Sequence, residues 1–298
     1  MVEMPVAQRS PIPLVIISDP GEDLDDEMAM VMLRYLTGKG YVDCKGIVAN
    51  LRPAQDRGRL LRGTLDVLGL YEVPVGIGTD GGSSEHKATF LETAASYMPA
   101  DGSERARLHG GRALLRRCFE EATDGSLTLV CISSMKDAAL FIRDNTDLFK
   151  RKSRSVLIMG GVREMPTAGG ADGAGAGSRL LPDALLPDTA NNNTFDQQAA
   201  DYLYAVCQDL GVQLTVQTRH SAYACPVPRE IYDAMAKTGS PIAVRLRTAQ
   251  RTSIENLWKR CIAPEPDCRF GLPARCDRTW FQNTFCAQRE VLAHAVAM

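Results

Sequence analysis

The acidic stretch Ser18-Asp19-Pro20-Gly21-Glu22-Asp23-Leu24-Asp25-Asp26-Glu27 directly follows the apolar run Leu14-Val15-Ile16-Ile17 and leads straight into an apolar segment. A short apolar run rich in β-branched residues and ended by a Pro-Gly turn reads as a strand buried on both faces, as in parallel sheets. Asp25, Asp26 and Glu27 then fall in the first turn of a helix, where the helix dipole favours negative charge. Capping accounts for Asp25 and Glu27 but leaves Asp19 and Asp23 without a role. Carboxylates crowded at one strand end repel one another unless some protonate or a cation neutralises them. Hard oxygen ligands suit Ca2+ or Mg2+ better than zinc or copper, and open α/β sheets bind their ligands at the carboxyl ends of strands. The cluster is therefore read as a cation site at the end of the first strand.

Apolar β-rich runs at 14–17, 44–49, 73–77, 127–132, 155–159 and 213–216 alternate with helical spacing at 25–36, 53–68, 113–122, 135–143 and 197–209. That alternation is the signature of an α/β fold with an open, mostly parallel sheet flanked by helices. Beyond Ala222 the pattern turns helical, at 229–237, 242–259 and 279–295, which predicts a helical C-terminal part. The first helix carries Met28, Met30, Val31, Met32 and Leu33 and is expected to be buried on nearly every side, its methionines filling gaps in the core. With 298 residues, 45% of them hydrophobic, and no long polar linker, the chain is expected to form a single domain over 1–298. The glycine-rich segment at 167–178 has little to bury and reads as a flexible loop, either closing over the site or, the favoured reading, an inert insertion.

A formal net charge of -2 without long basic runs argues against nucleic acid as a partner. Residues 1–10 lack an apolar signal core and no run is long enough to span a bilayer, so no membrane association and a cytoplasmic location are expected. The nine cysteines are odd in number and dispersed, which reads as buried thiols. Cys261, Cys268, Cys276 and Cys286 contain no C-x-x-C pair and are not read as a zinc site. Ser133-Ser134 lacks a nucleophile elbow, and of the four histidines only His220 is placed near the cleft.

The strand ending in Asp19-Pro20-Gly21, with Asp25-Asp26 opening an apolar helix, is similar to the start of the inosine-uridine-preferring nucleoside hydrolase family, whose pattern is Asp-x-Asp-x-x-x-Asp-Asp. Later segments match in order. Gly46-Ile47-Val48-Ala49-Asn50 resembles the family's second strand, ending in a substrate-binding Asn. The strand and turn from Leu127 to Met135 resemble one that usually reads Thr-Gly-Pro-Leu and offers a backbone carbonyl, here that of Ile132, to the metal. Val156-Leu157-Ile158-Met159-Gly160-Gly161 resembles the family's strand ending in Met-Gly-Gly. Asn191 to Ala200 resembles the segment that places Asn192 on the ribose, and Cys276-Asp277 falls where the family has His-Asp, the Asp a calcium ligand.

The resemblance implies a nucleoside hydrolase type of fold and a bound Ca2+ held by Asp19, Asp26, Asp277 and the Ile132 carbonyl. It implies Asp19 as the base that takes the water proton, with Asp25, Asn50 and Asn192 on the ribose hydroxyls. The expected activity is hydrolysis of the N-glycosidic bond of ribonucleosides to ribose and free base, in a chain that forms a homo-oligomer as family members commonly do. Tyr223 and Trp280, with Phe281, are candidates for stacking on the base.

The chain departs from the family pattern at several places. Its leading Asp is Ile17, two extra residues separate Asp19 from Asp25-Asp26, the leaving-group His is Cys276, and the Glu two residues before Asn192 is Ala190. The longer turn either bulges or lets Asp23 take the role Asp25 holds elsewhere, and the continuation Asp-Asp-Glu-Met-Ala favours Asp25-Asp26. A thiol is a weak donor and its thiolate none. These departures resemble a divergent branch that includes nucleoside-hydrolase-like effectors of plant-pathogenic bacteria. They keep open a second expectation, a catalytically weak or inactive binding protein for a nucleoside or an ADP-ribose-like ligand.

Overall fold

Residues 14–17 lie inside β1 (Ile12–Ser18), and β1 lies in the middle of the sheet. The computed structural model describes residues 10–21, 24–82, 90–163, 184–224, 228, 230–262 and 279. Within them β2 (Val42–Ala49), β3 (Val75–Ile77), β4 (Leu108–Gly110), β5 (Leu127–Cys131), β6 (Ser153–Met159) and β7 (Gln213–Gln217) join β1 in a seven-stranded sheet of order β4-β3-β2-β1-β5-β6-β7. Every pairing is parallel.

The chain winds outward from β1 to β4, then returns to β5 on the other side of β1 and winds outward again. The crevice between β1 and β5 is thus the topological switch point, where loops diverge and leave room for a ligand. Ile17 sits opposite both Val48 and Cys131, and the Ile132 amide donates to the Ile17 carbonyl at 2.9 Å. The acidic turn after Ser18 and the segment after Cys131 therefore leave the sheet side by side.

Alternation of side chains along β1 builds two cores. Val15 and Ile17 pack with α4 (Gly111–Glu121), α5 (Lys136–Asp144), α6 (Thr146–Lys152) and α8 (Gln197–Asp209) through Leu114, Phe119, Phe141, Phe149 and Leu203. Ile16 faces the other way, towards α1 (Asp25–Gly38) and α2 (Ala54–Val67), through Met30, Leu33, Leu61 and Leu65. A third cluster joins Leu24 and Leu60 to α3 (Phe90–Ala94), α10 (Glu230–Ala236) and α11 (Pro241–Cys261) through Phe90, Tyr232, Ile242 and Leu246. Two short helices, α7 (Asn191–Thr194) and α9 (Arg219–Ala224), lie beyond the carboxyl ends of β6 and β7.

Several boundaries differ from the sequence reading. β3 begins at Val75 rather than at 73, because Pro74 has no amide to donate and offers only its carbonyl, to Ile47. β4, α3 and α6 are too short to carry a periodic signal. α1 is covered on two sides only: Met30 and Leu33 meet the sheet, Met28 and Val31 meet the third cluster, and Met32 and Tyr35 are exposed. The glycine-rich segment at 167–178 and nearly all of the helix read at 279–295 lie outside the described residues. Among the described residues no helix is long and apolar enough to cross a membrane.

Cys44, Cys118, Cys131 and Cys207 are free and buried. Burial pushes the Cys44 and Cys207 thiols up to about 12 and the Cys118 thiol up to about 11, and it raises that of Cys131 as well. Since the thiolate is the reactive form, peptide-mapped alkylation at mildly alkaline pH will leave these four unmodified in the native chain and modify all four after denaturation. Rapid native labelling at any of them would contradict this packing.

Candidate functional site

At the end of β1 the acidic turn is held by its own first helical turn. Asp26 lies one residue into α1, and its Oδ1 accepts from the Ser18 hydroxyl at 2.5 Å and from the Asp19 amide at 3.0 Å. Asp25, Asp26 and Glu27 are all buried, while Asp19 is half-buried. Burial pushes the Asp26 carboxyl up to about 6, against the pull of the Ser18 hydroxyl, the Asp19 amide and the Arg57 guanidinium. Its ionised form is thus less well served by the protein than water would serve it.

Two buried arginines capture the carbonyls of this turn. Arg57 of α2 donates from Nη1 to the Asp19 carbonyl and, at 3.0 Å, to that of Pro20, and from Nε to the Arg52 carbonyl at 3.1 Å. Arg245 of α11 donates from Nη2 to the Gly21 carbonyl at 2.6 Å, from Nε to Thr93 Oγ1 at 3.2 Å, and from Nη1 to Glu27. Glu27 also accepts from the Tyr97 hydroxyl at 3.1 Å. Burial pushes the Glu27 carboxyl up, and Arg245 followed by Tyr97 pulls it back. Removing one partner of such a buried pair typically costs about 3–5 kcal/mol, because the other charge is left alone.

Beside β1, the Asn50 amide donates to the Ser18 carbonyl at 3.0 Å and brings the Asn50 side chain to the end of β2. That side chain is completely buried and engaged at both ends. Nδ2 donates to Asp137 Oδ2 at 2.8 Å and to the Ser134 carbonyl at 3.1 Å, and Oδ1 accepts from the Ser133 hydroxyl at 2.5 Å. Asp137 also accepts from the Thr79 amide at 2.9 Å and the Thr79 hydroxyl at 2.8 Å. Asp137 thereby ties the ends of β2, β3 and β5 together. In the sequence it looks like an ordinary acidic residue in the first turn of α5, and its partners are remote in the chain.

Across the switch point, Asn192 of α7 donates from Nδ2 to the Ile132 carbonyl at 3.2 Å and to the Met159 carbonyl at 3.0 Å, so it bridges the ends of β5 and β6. Its neighbour Asn193 is fully buried and fastens α7 to the carbonyls of Gly161 and Asp188. Ala222 of α9 packs on Met159, with Ile132 against both, which sets α9 over the same strand ends. Tyr223 is the next residue of that helix. The structure thus brings Asp19, Asp25, Asp26, Asn50, Ile132 and Asn192 to the carboxyl ends of β1, β2 and β5. Asp23, Cys276, Asp277 and Trp280 lie outside the described residues.

Among the described residues no group of three or more His, Cys, Asp or Glu side chains converges on a metal position. The donor chemistry nonetheless fits a hard divalent ion, because every candidate ligand is an oxygen and the buried Asp26 carboxylate lacks full compensation.

No family model matches the chain, and no curated protein matches it. Among solved structures it is similar to the type III effector protein XopQ complexed with adenosine diphosphate ribose, at 28% identity over 84% of this chain and 68% of that one, with a TM-score of 0.72. It is similar to the effector protein XOO4466 at 26% identity over 92% of this chain and 72% of that one, TM-score 0.71. A purine-preferring ribonucleoside hydrolase from Gardnerella vaginalis matches at 15% identity over 96% of this chain and 79% of that one, TM-score 0.58.

Gly21 is the backbone position on which the acidic turn depends. Its φ of +137° is one that side-chain-bearing residues rarely adopt, and a Cβ there would stand 2.3 Å from the Phe90 ring. Gly21→Ala is expected to lower unfolding stability by about 2 kcal/mol or more in a denaturant titration. An unchanged midpoint would contradict the described turn.

Proposed function

We propose that this chain, which carries the nucleoside hydrolase fold in the divergent form of the effector-like branch, is a ribonucleoside N-ribohydrolase that works with a bound Ca2+. The observation that carries the reading is the placement of a largely buried acidic turn at the switch point of a parallel sheet, beside polar groups from the ends of β2 and β5. Asp19, Asp26 and the Ile132 carbonyl, with Asp277, would hold the ion. Bound there, the ion would acidify a water and orient the ribose hydroxyls.

The chain's own residues do the rest. Asp19, the most exposed of the described acids at the strand end, takes the proton as water oxygen bonds to C1′ and the C1′–N bond breaks towards the base. Asp25 and Asn192 pair with ribose hydroxyls, so a deoxy sugar leaves buried polar groups unmatched. The base departs with a proton from solvent or from the weakly donating Cys276 thiol, with Tyr223 and Trp280 as candidates for stacking on it.

A second reading, tight binding of an ADP-ribose-like ligand with little turnover, is favoured by Asn50. With both hydrogens of its Nδ2 engaged, Asn50 donates to a sugar hydroxyl only by surrendering a bond to Asp137 or Ser134. The XopQ complex with adenosine diphosphate ribose and the residues Ile17, Ala190 and Cys276 support it further.

Ribose release from a panel of ribonucleosides should require Ca2+, cease with chelator and return on re-addition. Asp19→Ala should lower it by about 10²-fold or more. Normal turnover in Asp19→Ala would overturn the mechanism. A thermal shift with ADP-ribose, unaccompanied by ribose release from any nucleoside, would replace hydrolysis by the binding reading.

A further inference from the structure

Helix α11 lies more than two hundred residues from the acidic turn in sequence, yet Arg245 reaches that turn with hydrogen bonds. Ile242 and Leu246 anchor the helix against Leu24, Leu60 and Phe90, and Arg245, on the same face, is 4% exposed. Leu24 stands immediately before Asp25, and Glu27 immediately after Asp26. Arg245 holds the Gly21 carbonyl on one side of the acidic pair and Glu27 on the other. The Asp25-Asp26 segment is therefore spanned by a single guanidinium, while Arg57 holds the carbonyls of Asp19 and Pro20 just upstream.

A fork of this kind fixes geometry in a way a flexible ammonium does not, because its donors are rigidly coplanar. A helix dipole or a capping residue would leave the flanks of the turn free, whereas Arg245 bonds to residues 21 and 27 at once and is itself held by Thr93.

From this geometry we infer that Arg245, acting through Glu27 and the Gly21 carbonyl, is a positioning residue that sets the acidic turn in its ligand-binding form and couples the helical C-terminal part to the site. The inference rests on the proposed cation site, and it has a reciprocal consequence. Whatever binds the turn stabilises the docking of α11, and undocking α11 weakens what binds the turn.

The test uses the full chain in three forms: wild type, Arg245→Lys, and the double variant Glu27→Leu with Arg245→Met. Lysine keeps the charge and loses the fork, while the double variant removes both charges and leaves neither buried alone. Hydrogen exchange read by mass spectrometry reports on segment 19–27, and a CaCl2 titration followed by thermal shift reports on the cation midpoint. In both variants, exchange over 19–27 should quicken about tenfold or more while β5 and β6 keep their protection, and the calcium midpoint should rise about tenfold.

Wild-type exchange and midpoint in a folded variant would overturn the inference. So would uniform loss of protection, or failure of both variants to fold, because the pair would then serve the whole fold rather than the turn. If the wild type shows no calcium response, the cation reading fails by itself, and exchange over 19–27 still decides the positioning role.

Discussion

The capture of three successive carbonyls, those of Asp19, Pro20 and Gly21, by two buried guanidiniums is the constraint around which the site is built. A turn leaving a buried strand must place its backbone acceptors somewhere, and an unmet carbonyl in a dry interior is costly. Here the acceptors point at Arg57 and Arg245. The same two cations lie beside the acidic run, Arg57 pulling the Asp26 carboxyl down and Arg245 that of Glu27. Desolvation still wins at Asp26, whose carboxyl stays well above its usual range. The arginines thus fix the shape of the turn without fully offsetting the burial of Asp26.

Topology turns that local arrangement into a site. Because the winding order of the strands reverses between β1 and β5, the loops that follow them diverge around a crevice instead of being covered by a shared crossover. The polar groups on the flanks are tied to one another. Asp137 joins the ends of β2, β3 and β5, and Asn192 joins those of β5 and β6. The side chains at these strand ends are therefore held in a connected frame.

Much of this was legible in the sequence. The apolar runs and their helical spacing mark the core strands and helices, because burial on a sheet leaves a local, periodic trace. The acidic turn was legible for the same reason, since crowded carboxylates at a strand end are a local anomaly. What left no trace was long-range pairing. Glu27 and Arg245 are 218 residues apart, and Glu27 reads as ordinary capping until its partner is seen. Asp137 reads the same way, and Arg57 looks like a surface residue of an amphipathic helix although it is fully buried. Asn50 shows the converse. The family resemblance assigns it to the ribose, while the structure adds the internal bonds that already occupy it.

The central claim is that the β1/β5 crevice is a cation site built on the acidic turn. Anomalous diffraction from crystals of the full chain grown with CaCl2, compared with crystals grown with chelator, tests it most directly. The account predicts a calcium-dependent peak within coordination distance of the Asp26 carboxylate and the Ile132 carbonyl. A crevice without such a peak at saturating calcium, or a peak bound only elsewhere on the chain, would contradict it.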